Sequence, residues 1–382
     1  MTFCRAYDRL DVSARMKVMP EDFIVEEIVD IDLSGEGEHC WLYVQKRSCN
    51  TEWLAKRIAH FCDIPVSRVS YAGLKDRHAV TSQWFSVHLP GRETPDWQAF
   101  EQAFNSQATA RGKIIKGESI EGESIQGESK EDEWIHVLQQ TRHNRKLQRG
   151  ALKANRFRIT LRELEGPGED LFRVLDERVR AISEQGVPNY FGEQRFGRDR
   201  QNVQQARAML SGRRRKLPRH KRSLYLSAAR SWLFNLILSA RVEQGSWNRR
   251  LAGDVFMLDG SSACFRDDSP DDNPDSKSGD NSAQLDSRLA SHDIHPAIVL
   301  WGEHENMVAG AARELEMASI DTEAELRDGL IAARVKAARR ASRLIPGEMH
   351  GQRDGDSYIL SFVLQSGAYA TAVLAELVTL KD

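Results

Sequence analysis

Alternation of apolar and polar residues is the clearest pattern along the chain, and it predicts strands. Because successive side chains of a strand point to opposite faces, a period of two is typical of a strand with one buried face. The pattern predicts strands over four segments: 39–48, 83–90, 156–164 and 357–364. Pro90 is expected to end the second strand, because proline cannot donate to a sheet ladder.

Apolar residues three and four positions apart predict helices in four other segments. Asn50 or Thr51 is expected to cap the first helix, and Ser223 is expected to cap the third. Gly186 and Gly245 are expected to end the second and third helices, because glycine readily takes the left-handed conformation found there. The four predicted helices cover 50–62, 169–185, 223–244 and 368–380.

Strands and helices are mixed along the chain without a regular strand–helix–strand repeat. No glycine-rich phosphate loop follows a predicted strand, which argues against a nucleotide-binding parallel sheet. The pattern therefore predicts an α+β fold. With 382 residues, 40% of them hydrophobic, the chain is long enough for two domains or for one domain with a large insertion.

Two segments of low complexity interrupt this pattern. Residues 117–129 carry three Gly-Glu-Ser copies, and residues 267–282 are rich in Asp, Ser and Pro. Because segments of this composition cannot build a core, both are predicted to be solvated insertions without chemistry of their own.

The amino-acid composition mainly excludes certain partners and sites. The 54 Lys and Arg against 56 Asp and Glu leave a net charge of −2, so no overall attraction to nucleic acid or membrane is expected. The five cysteines are scattered and form no metal-ligand cluster, which indicates a reducing compartment. His292 and His295 are expected to serve packing or capping rather than zinc binding. Without a signal peptide or a long apolar run, a soluble cytoplasmic protein with no membrane contact is expected.

Local charge is more informative than net charge. Residues 142–158 and 213–222 are rich in basic residues and contain no acidic residue. A charge run is usually a solvated face, but two such runs in a neutral protein favour a surface that binds a polyanion. The basic residues predicted to contact phosphates are Arg142, Arg145, Lys146, Arg149, Arg213, Arg214, Arg215 and Lys216.

The stretch 187–202, VPNYFGEQRFGRDRQN, interleaves aromatic, amide and basic side chains. Aromatic rings that stack on bases and an arginine such as Arg195 that contacts phosphate are typical of RNA recognition. A packed turn around a buried Tyr190–Phe191 pair explains the same residues equally well. The pattern alone leaves both interpretations open.

Asp76 is a lone carboxylate in the stretch YAGLKDRHAVTSQWF, residues 71–85. The commoner interpretation is a surface turn in which Asp76 pairs with Lys75 or Arg77. The alternative is a nucleophile or base kept ionised by nearby cations, since opposite charges lower the pKa of a carboxyl group. Spacing along the chain does not distinguish the two.

Six motifs, taken in order, resemble the TruD family of tRNA pseudouridine synthases, from about residue 16 to the end. They are KVMPEDFIVEE, YAGLKDRHAVTSQWF, RHNRKLQRGALKANRF, VPNYFGEQRFGRD, IHPAIVLWG and LSFVLQSGAYATAVLAEL. Their shared order makes the resemblance far more specific than any single motif.

The resemblance implies roles for six residues. Asp76 is implied to be the catalytic nucleophile, with Lys17 pairing with it and keeping it charged. Phe23 and Phe362 are implied to sandwich the flipped base, while Asn155 bonds its polar edge. The residues implied to line the uridine pocket are Lys17, Phe23, Asn155, Phe157 and Phe362.

The resemblance also implies a fold, a partner and a reaction. The fold is the mixed-sheet catalytic domain of pseudouridine synthases, over 1–188 and 341–382, interrupted by an α/β insertion domain over 189–340. The implied substrate is uridine 13 in the D-arm of tRNA, and the isomerisation needs no cofactor or metal. No obligate protein partner is implied.

Two alternatives stay open at this point. One is a non-catalytic RNA-binding protein on the same scaffold. The other is a glycoside or nucleoside hydrolase, which needs a second carboxylate besides Asp76. The candidates for that second carboxylate are Glu21, Asp22, Glu26 and Glu27.

Overall fold

The structure is a computed structural model that describes six ranges of the chain. These are residues 3–114, 133–148, 150–212, 217–267, 282–303 and 307–381, without the side chains of 107–114. The repeats at 117–129 and nearly all of 267–282 lie outside the described residues. Among the described residues, no helix is long and apolar enough to cross a membrane.

Strands are numbered β1 to β16 in chain order. They are Ser13–Met16, Phe23–Val29, His39–Arg47, Val69–Tyr71, Val80–His88, Trp134–His143, Leu152–Glu165, Val187–Pro188, Val255–Leu258, Cys264–Arg266, Ile294–Leu300, Ala338–Ala341, Arg343–Leu344, Gly347–Asp354, Ser357–Gln365 and Thr379–Leu380. All four predicted strands are present. The second, β5, begins three residues earlier than predicted, at Val80.

Helices are numbered α1 to α9 in chain order. They are Thr51–Phe61, Trp97–Ile114, Leu171–Gln185, Gln201–Leu210, Arg219–Glu243, Ser282–Ala290, Gly310–Ser319, Ala324–Ala332 and Ala370–Leu377. Asn50 caps α1 as predicted, its side chain accepting from the main-chain NH groups of Glu52 and Trp53. The predicted last helix is shorter than expected, because Val378 is extended and the chain enters β16.

The predicted cap of the long helix α5 is wrong. The helix begins at Arg219, directly after Pro218, so Ser223 lies inside its first turns. The intervening basic residues have helix propensities close to that of leucine, and they extend the helix back to the proline. Its predicted end is confirmed, because Gly245 takes a positive φ of 72° just beyond the helix.

The chain forms two compact units. The sheet unit comprises residues 12–176, 347–366 and 380–382, and the helix-rich unit comprises 1–11, 177–346 and 367–379. The domain boundaries expected near 189 and 340 stay a prediction, and the units change at nearby positions, after 176 and 346.

A large mixed sheet forms the sheet unit, and its strand order is β14-β15-β7-β2-β5-β3-β6. Neighbouring strands are antiparallel except β2 and β5, which are parallel. Short β1 pairs with β7, and short β4 pairs with β5. This combination of a large mixed sheet with helices confirms the predicted α+β class.

Helices α1 and α2 cover one part of that sheet. Their apolar faces, which include Leu54, Ile58 and Phe100, pack with Leu42 of β3 and Phe85 of β5 in one buried cluster. Burial of these side chains contributes the main driving force for this part of the fold. The same face of the sheet continues beyond the helices toward β2, β7 and β15.

The helix-rich unit is built around α5. Trp232, Phe234 and Ile237 of this helix are buried in a cluster with Ile298 of β11 and Leu326 of α8. A four-stranded sheet of order β10-β9-β11-β12 and a two-stranded sheet of β13 and β8 complete the unit.

Candidate active site

Asp76 lies in the loop 72–79, which joins β4 to β5 at one end of the large sheet. Its carboxylate Oδ2 accepts a hydrogen bond of 2.7 Å from the ammonium group of Lys17. Lys17 directly follows β1 and takes a positive φ of 61°, a conformation that a non-glycine residue rarely adopts. The side chains of Asp76 and Lys17 remain 41% and 23% exposed, so the pair is accessible to a substrate. The predicted pairing of Lys17 with Asp76 is confirmed.

The sequence neighbours of Asp76 have other partners. Lys75 forms a short ion pair with the buried carboxylate of Glu27. Arg77 lies 3.6 Å from the carboxylate of Glu133. Asp76 is therefore not paired with Lys75 or Arg77, and the interpretation as a surface ion pair between sequence neighbours is wrong. The cation that compensates Asp76 comes from 59 residues away.

Three phenylalanine rings lie on neighbouring strands beside this pair. Phe157 of β7 is opposite Phe362 of β15, and their rings stack with centroids 5.3 Å apart. Phe157 also makes an edge-to-face contact with Phe23 of β2, with ring centroids 6.1 Å apart. The ammonium group of Lys17 lies 4.0 Å from the centroid of the Phe23 ring and so joins the ring row to Asp76. These rings and the Lys17–Asp76 pair form a single site within the sheet unit.

Phe157 is the ring shared by both contacts. Phe362 is only 1% exposed, and one face of its ring is covered by Phe157. A base held between Phe23 and Phe362 therefore requires the Phe157 ring to move.

Asn155 lies two residues before Phe157 on β7, and its side chain faces the same side of the sheet. Its Oδ1 is buried and has no hydrogen-bond partner within the described residues. Thr81 of β5, in register with Val25 of β2, carries a second such atom, its Oγ1. Unpartnered buried polar atoms are rare because each costs desolvation energy, so they mark a place where a ligand or water is expected to bind.

A buried polar layer supports the Asp76 loop, and the sequence analysis missed it. Lys46 of β3 is fully buried and donates to the carbonyl oxygens of Cys49 and Asp76. Glu27 accepts from the main-chain NH of Trp84 at 2.9 Å in addition to its pair with Lys75. The alternation of β3 does predict that Lys46 is buried, because Lys46 lies on the same face as the apolar residues at 40, 42 and 44.

Three of the four carboxylates considered as the second carboxylate of a hydrolase are paired with cations of the sheet unit. The pairs are Glu21 with Arg47, Asp22 with Arg162, and Glu27 with Lys75. A carboxylate whose oxygens already contact a fixed cation is a poor candidate for the second catalytic carboxylate, because those oxygens are engaged in an ion pair. The paired-carboxylate alternative therefore loses most of its support.

The predicted phosphate contacts are described only in part. Arg145 and Lys146 are exposed just after β6, as a binding surface requires. Arg142 donates to the hydroxyl of Thr94 and the carbonyl of Arg92, so it supports a loop of the sheet unit. The other predicted contacts of the two basic runs lie outside the described residues: Arg149, Arg213, Arg214, Arg215 and Lys216.

Arg195 lies in the helix-rich unit, in a packed turn. Its guanidinium group donates to the hydroxyl groups of Ser227 and Tyr369, at 3.0 and 2.7 Å. Phe191 and Phe196 of the same stretch are buried in the core of this unit. The packed-turn interpretation thus accounts for the aromatic residues, and the RNA contact of Arg195 stays a prediction.

His295 is a packed residue. Its Nε2 lies 2.9 Å from Asp259, its Nδ1 lies 3.0 Å from the guanidinium Nε of Arg343, and burial lowers the pKa of the imidazole. Within the described ranges, no group of three or more His, Cys, Asp and Glu is placed to hold a metal ion.

Comparison with known proteins points to one family throughout. The family model described as tRNA pseudouridine synthase D (TruD) matches residues 2–214 and 203–377. A relative named tRNA pseudouridine synthase D from Methylococcus capsulatus is 42% identical over 375 residues, covering 98% of this chain and 93% of its own. One of the same name from Xanthomonas campestris pv. campestris strain 8004 is 43% identical over 387 residues, with the same coverages of 98% and 93%.

A solved structure supports the fold independently. The crystal structure described as the putative tRNA pseudouridine synthase D (TruD) from Methanosarcina mazei superimposes with a TM-score of 0.70. It covers 98% of this chain and 95% of its own, at 20% sequence identity. At this identity the similarity establishes the fold.

Proposed function

Because this chain belongs to the tRNA pseudouridine synthase D (TruD) family, we propose that it converts uridine in tRNA to pseudouridine. The reaction breaks the bond between C1′ of the ribose and N1 of the base, turns the base, and joins C5 to C1′. The proton on C5 is released to solvent and N1 gains a proton, so atoms and charge balance. The reaction is an isomerisation.

Asp76 is the proposed catalytic nucleophile. The observation that carries this proposal is the position of Lys17, whose ammonium group contacts Asp76 at 2.7 Å and the ring of Phe23 at 4.0 Å. A carboxylate that is both charge-compensated and beside an aromatic surface suits attack on a stacked uridine. Its possible roles are attack on the base, attack on C1′, and removal of the C2′ proton.

Asn155 is proposed to recognise the base. Its buried Oδ1 has an unused acceptor position, and uracil presents a donor at N3–H, where cytosine presents an acceptor. Binding of uracil would therefore give the Asn155 Oδ1 a hydrogen-bond donor. This complementarity favours uridine over cytidine.

The proposed target is uridine 13 in the D-arm, and this position rests on the family resemblance. Exposed Arg145 and Lys146 are proposed to contact tRNA phosphates, which gives affinity without reading sequence. Arg195 and the basic residues outside the described ranges are proposed to add to this surface.

Tritium release from tRNA carrying 5-tritiated uridine tests the activity, followed by mapping of the modified position. The proposal predicts release of tritium to water and a pseudouridine at position 13. Release of free uracil would instead identify a hydrolase, and binding of tRNA without release would identify a binding protein. Modification at another position would refute the target assignment while leaving the activity intact.

A further inference from the structure

Lys46 carries a fully buried ammonium group in the sheet unit, beside the proposed active site. Its Nζ donates to the main-chain carbonyl oxygens of Cys49, at 2.5 Å, and of Asp76, at 3.3 Å. Within the part of the chain that the structure describes, these two carbonyls are its hydrogen-bond partners, and no carboxylate lies within ion-pair distance. Lys46 is thus a buried cation whose direct partners are neutral.

Such an arrangement is costly, because a charge removed from water must be compensated. Burial lowers the pKa of Lys46 to about 8. The groups that face it are the Cys49 thiol, the Lys75 ammonium and the carboxylates of Glu27 and Asp76, and of these only Lys75 opposes its charge. A purely structural role would be served at lower cost by an apolar side chain, so the charge itself needs a reason.

The contacts of Lys46 give that reason. Gly73 and Lys75 of the loop are held through their main chain by the side chains of Gln83 and Thr51. The carbonyl of Asp76 itself accepts from Lys46. The position of the Asp76 backbone, and with it the origin of the carboxylate, therefore depends on Lys46.

We propose that Lys46 is a positioning residue for the reaction, whose buried ammonium group fixes the main chain at Asp76 and supplies positive potential beneath its carboxylate. Lys17, Lys46 and Lys75 surround the two carboxylates of Asp76 and Glu27, so the cluster holds three basic side chains against two acidic ones. Loss of the Lys46 proton would remove one positive charge from this cluster. The inference rests on the proposed function of Asp76.

The test compares Lys46→Met with Asp76→Asn in the full-length protein. Methionine keeps most of the apolar stem of lysine and removes the charge and the hydrogen bonds. A misplaced carboxylate is expected to slow single-turnover tritium release by about 100-fold, with the Kd for tRNA within about twofold of the wild type. Lys56→Met, on the exposed face of α1, is the matched control and is expected to release tritium at the wild-type rate.

The pH profile gives a readout that a merely structural role would not move. The wild-type release rate is expected to fall as the pH rises through about 8, because Lys46 then loses its charge. Lys46→Met is expected to lack this fall.

The outcomes separate the inference from the proposed function. A Lys46→Met variant that releases tritium at the wild-type rate, or that loses only tRNA affinity, overturns the inference provided that Asp76→Asn is inactive. An active Asp76→Asn, or a wild type without release, overturns the proposed function and the inference with it. If Lys46→Met does not fold, the wild-type profile decides, and a flat rate between pH 7 and 9 overturns the inference.

Discussion

At the scale of single residues, the site combines charges that are compensated with polar atoms that are not. Asp76 has its cation in Lys17, whereas Asn155 keeps a buried acceptor without a donor. The N3–H donor of a uracil base would give this acceptor a partner. Asn155 is therefore a residue whose contributions to activity and to stability should differ.

Replacement of Asn155 by leucine, which has nearly the same shape, tests this difference. We expect Asn155→Leu to lower kcat/KM by at least about 100-fold, because uracil loses its acceptor, while the free energy of unfolding does not fall. The matched control is Asn105→Leu, since the Asn105 amide makes hydrogen bonds in both directions with Ile135. This control should lose about 2 kcal/mol in urea denaturation. An equal loss of stability in both variants would contradict the assignment of Asn155.

The burial of Lys46 also predicts how the free energy of unfolding changes with pH, and this can be measured without an activity assay. In the unfolded chain a lysine keeps its proton up to a pKa of about 10.4, whereas in the folded protein burial lowers the value to about 8. Between these values the unfolded state binds more protons, so this group makes the protein more stable as the pH rises. From pH 8 to pH 10 the wild type should gain about 2 kcal/mol relative to Lys46→Met in chemical denaturation. A constant difference would show that Lys46 is not perturbed.

At the scale of elements, strand register brings the site together. Phe362, Phe157 and Val25 lie opposite one another on β15, β7 and β2, and Thr81 of β5 lies opposite Val25. Alternation predicts that such residues share a buried face, but it does not predict which strands become neighbours. The contact between Lys17 and Asp76 could therefore be predicted only from the family motifs, because a separation of 59 residues along the chain does not predict a distance in space.

Phe157 contacts the rings of both Phe23 and Phe362, and its proposed role is in base binding as well as in packing. We expect Phe157→Leu to lower kcat/KM by about tenfold or more through lost stacking on the base, with a stability loss of about 1 kcal/mol. Phe104→Leu removes a buried ring of α2 that contacts Trp53 and Phe100 and, among the described residues, makes no contact with the rings of the proposed site. It should lose similar stability and keep kcat/KM. Unchanged kcat/KM in Phe157→Leu would exclude a binding role for its ring.

Helix ends show where local patterns are sufficient and where they fail. The Asn50 cap was predictable, because its contacts are with the next two or three residues. The start of α5 was not, because Ser223 offered a plausible cap while the helix continued back to Pro218. Lys46 was missed for a related reason, since a charged residue in an apolar phase is usually assigned to a strand end. One of its partners, the Cys49 carbonyl, is three residues away, but the other, the Asp76 carbonyl, is 30 residues away in the chain.

At the scale of the whole molecule, a net charge of −2 requires that affinity for tRNA come from local basic surface. The double variant Arg145→Ala/Lys146→Ala is expected to weaken tRNA binding and to reduce the slope of log Kd against log salt by about 2. Lys56→Ala, outside both basic runs, should leave the slope unchanged. An unchanged slope in the double variant would place the phosphate contacts elsewhere.

The role of Asp76 as the proposed nucleophile of a tRNA uridine isomerase is best tested by comparing the wild type with Asp76→Asn. Single-turnover tritium release should be measured for the wild type and Asp76→Asn with saturating enzyme, alongside the Kd of each for tRNA. We expect release from the wild type and none from Asp76→Asn, with similar Kd values, because the amide keeps the shape of the side chain but lacks its charge. Equal release from both proteins would contradict the claim.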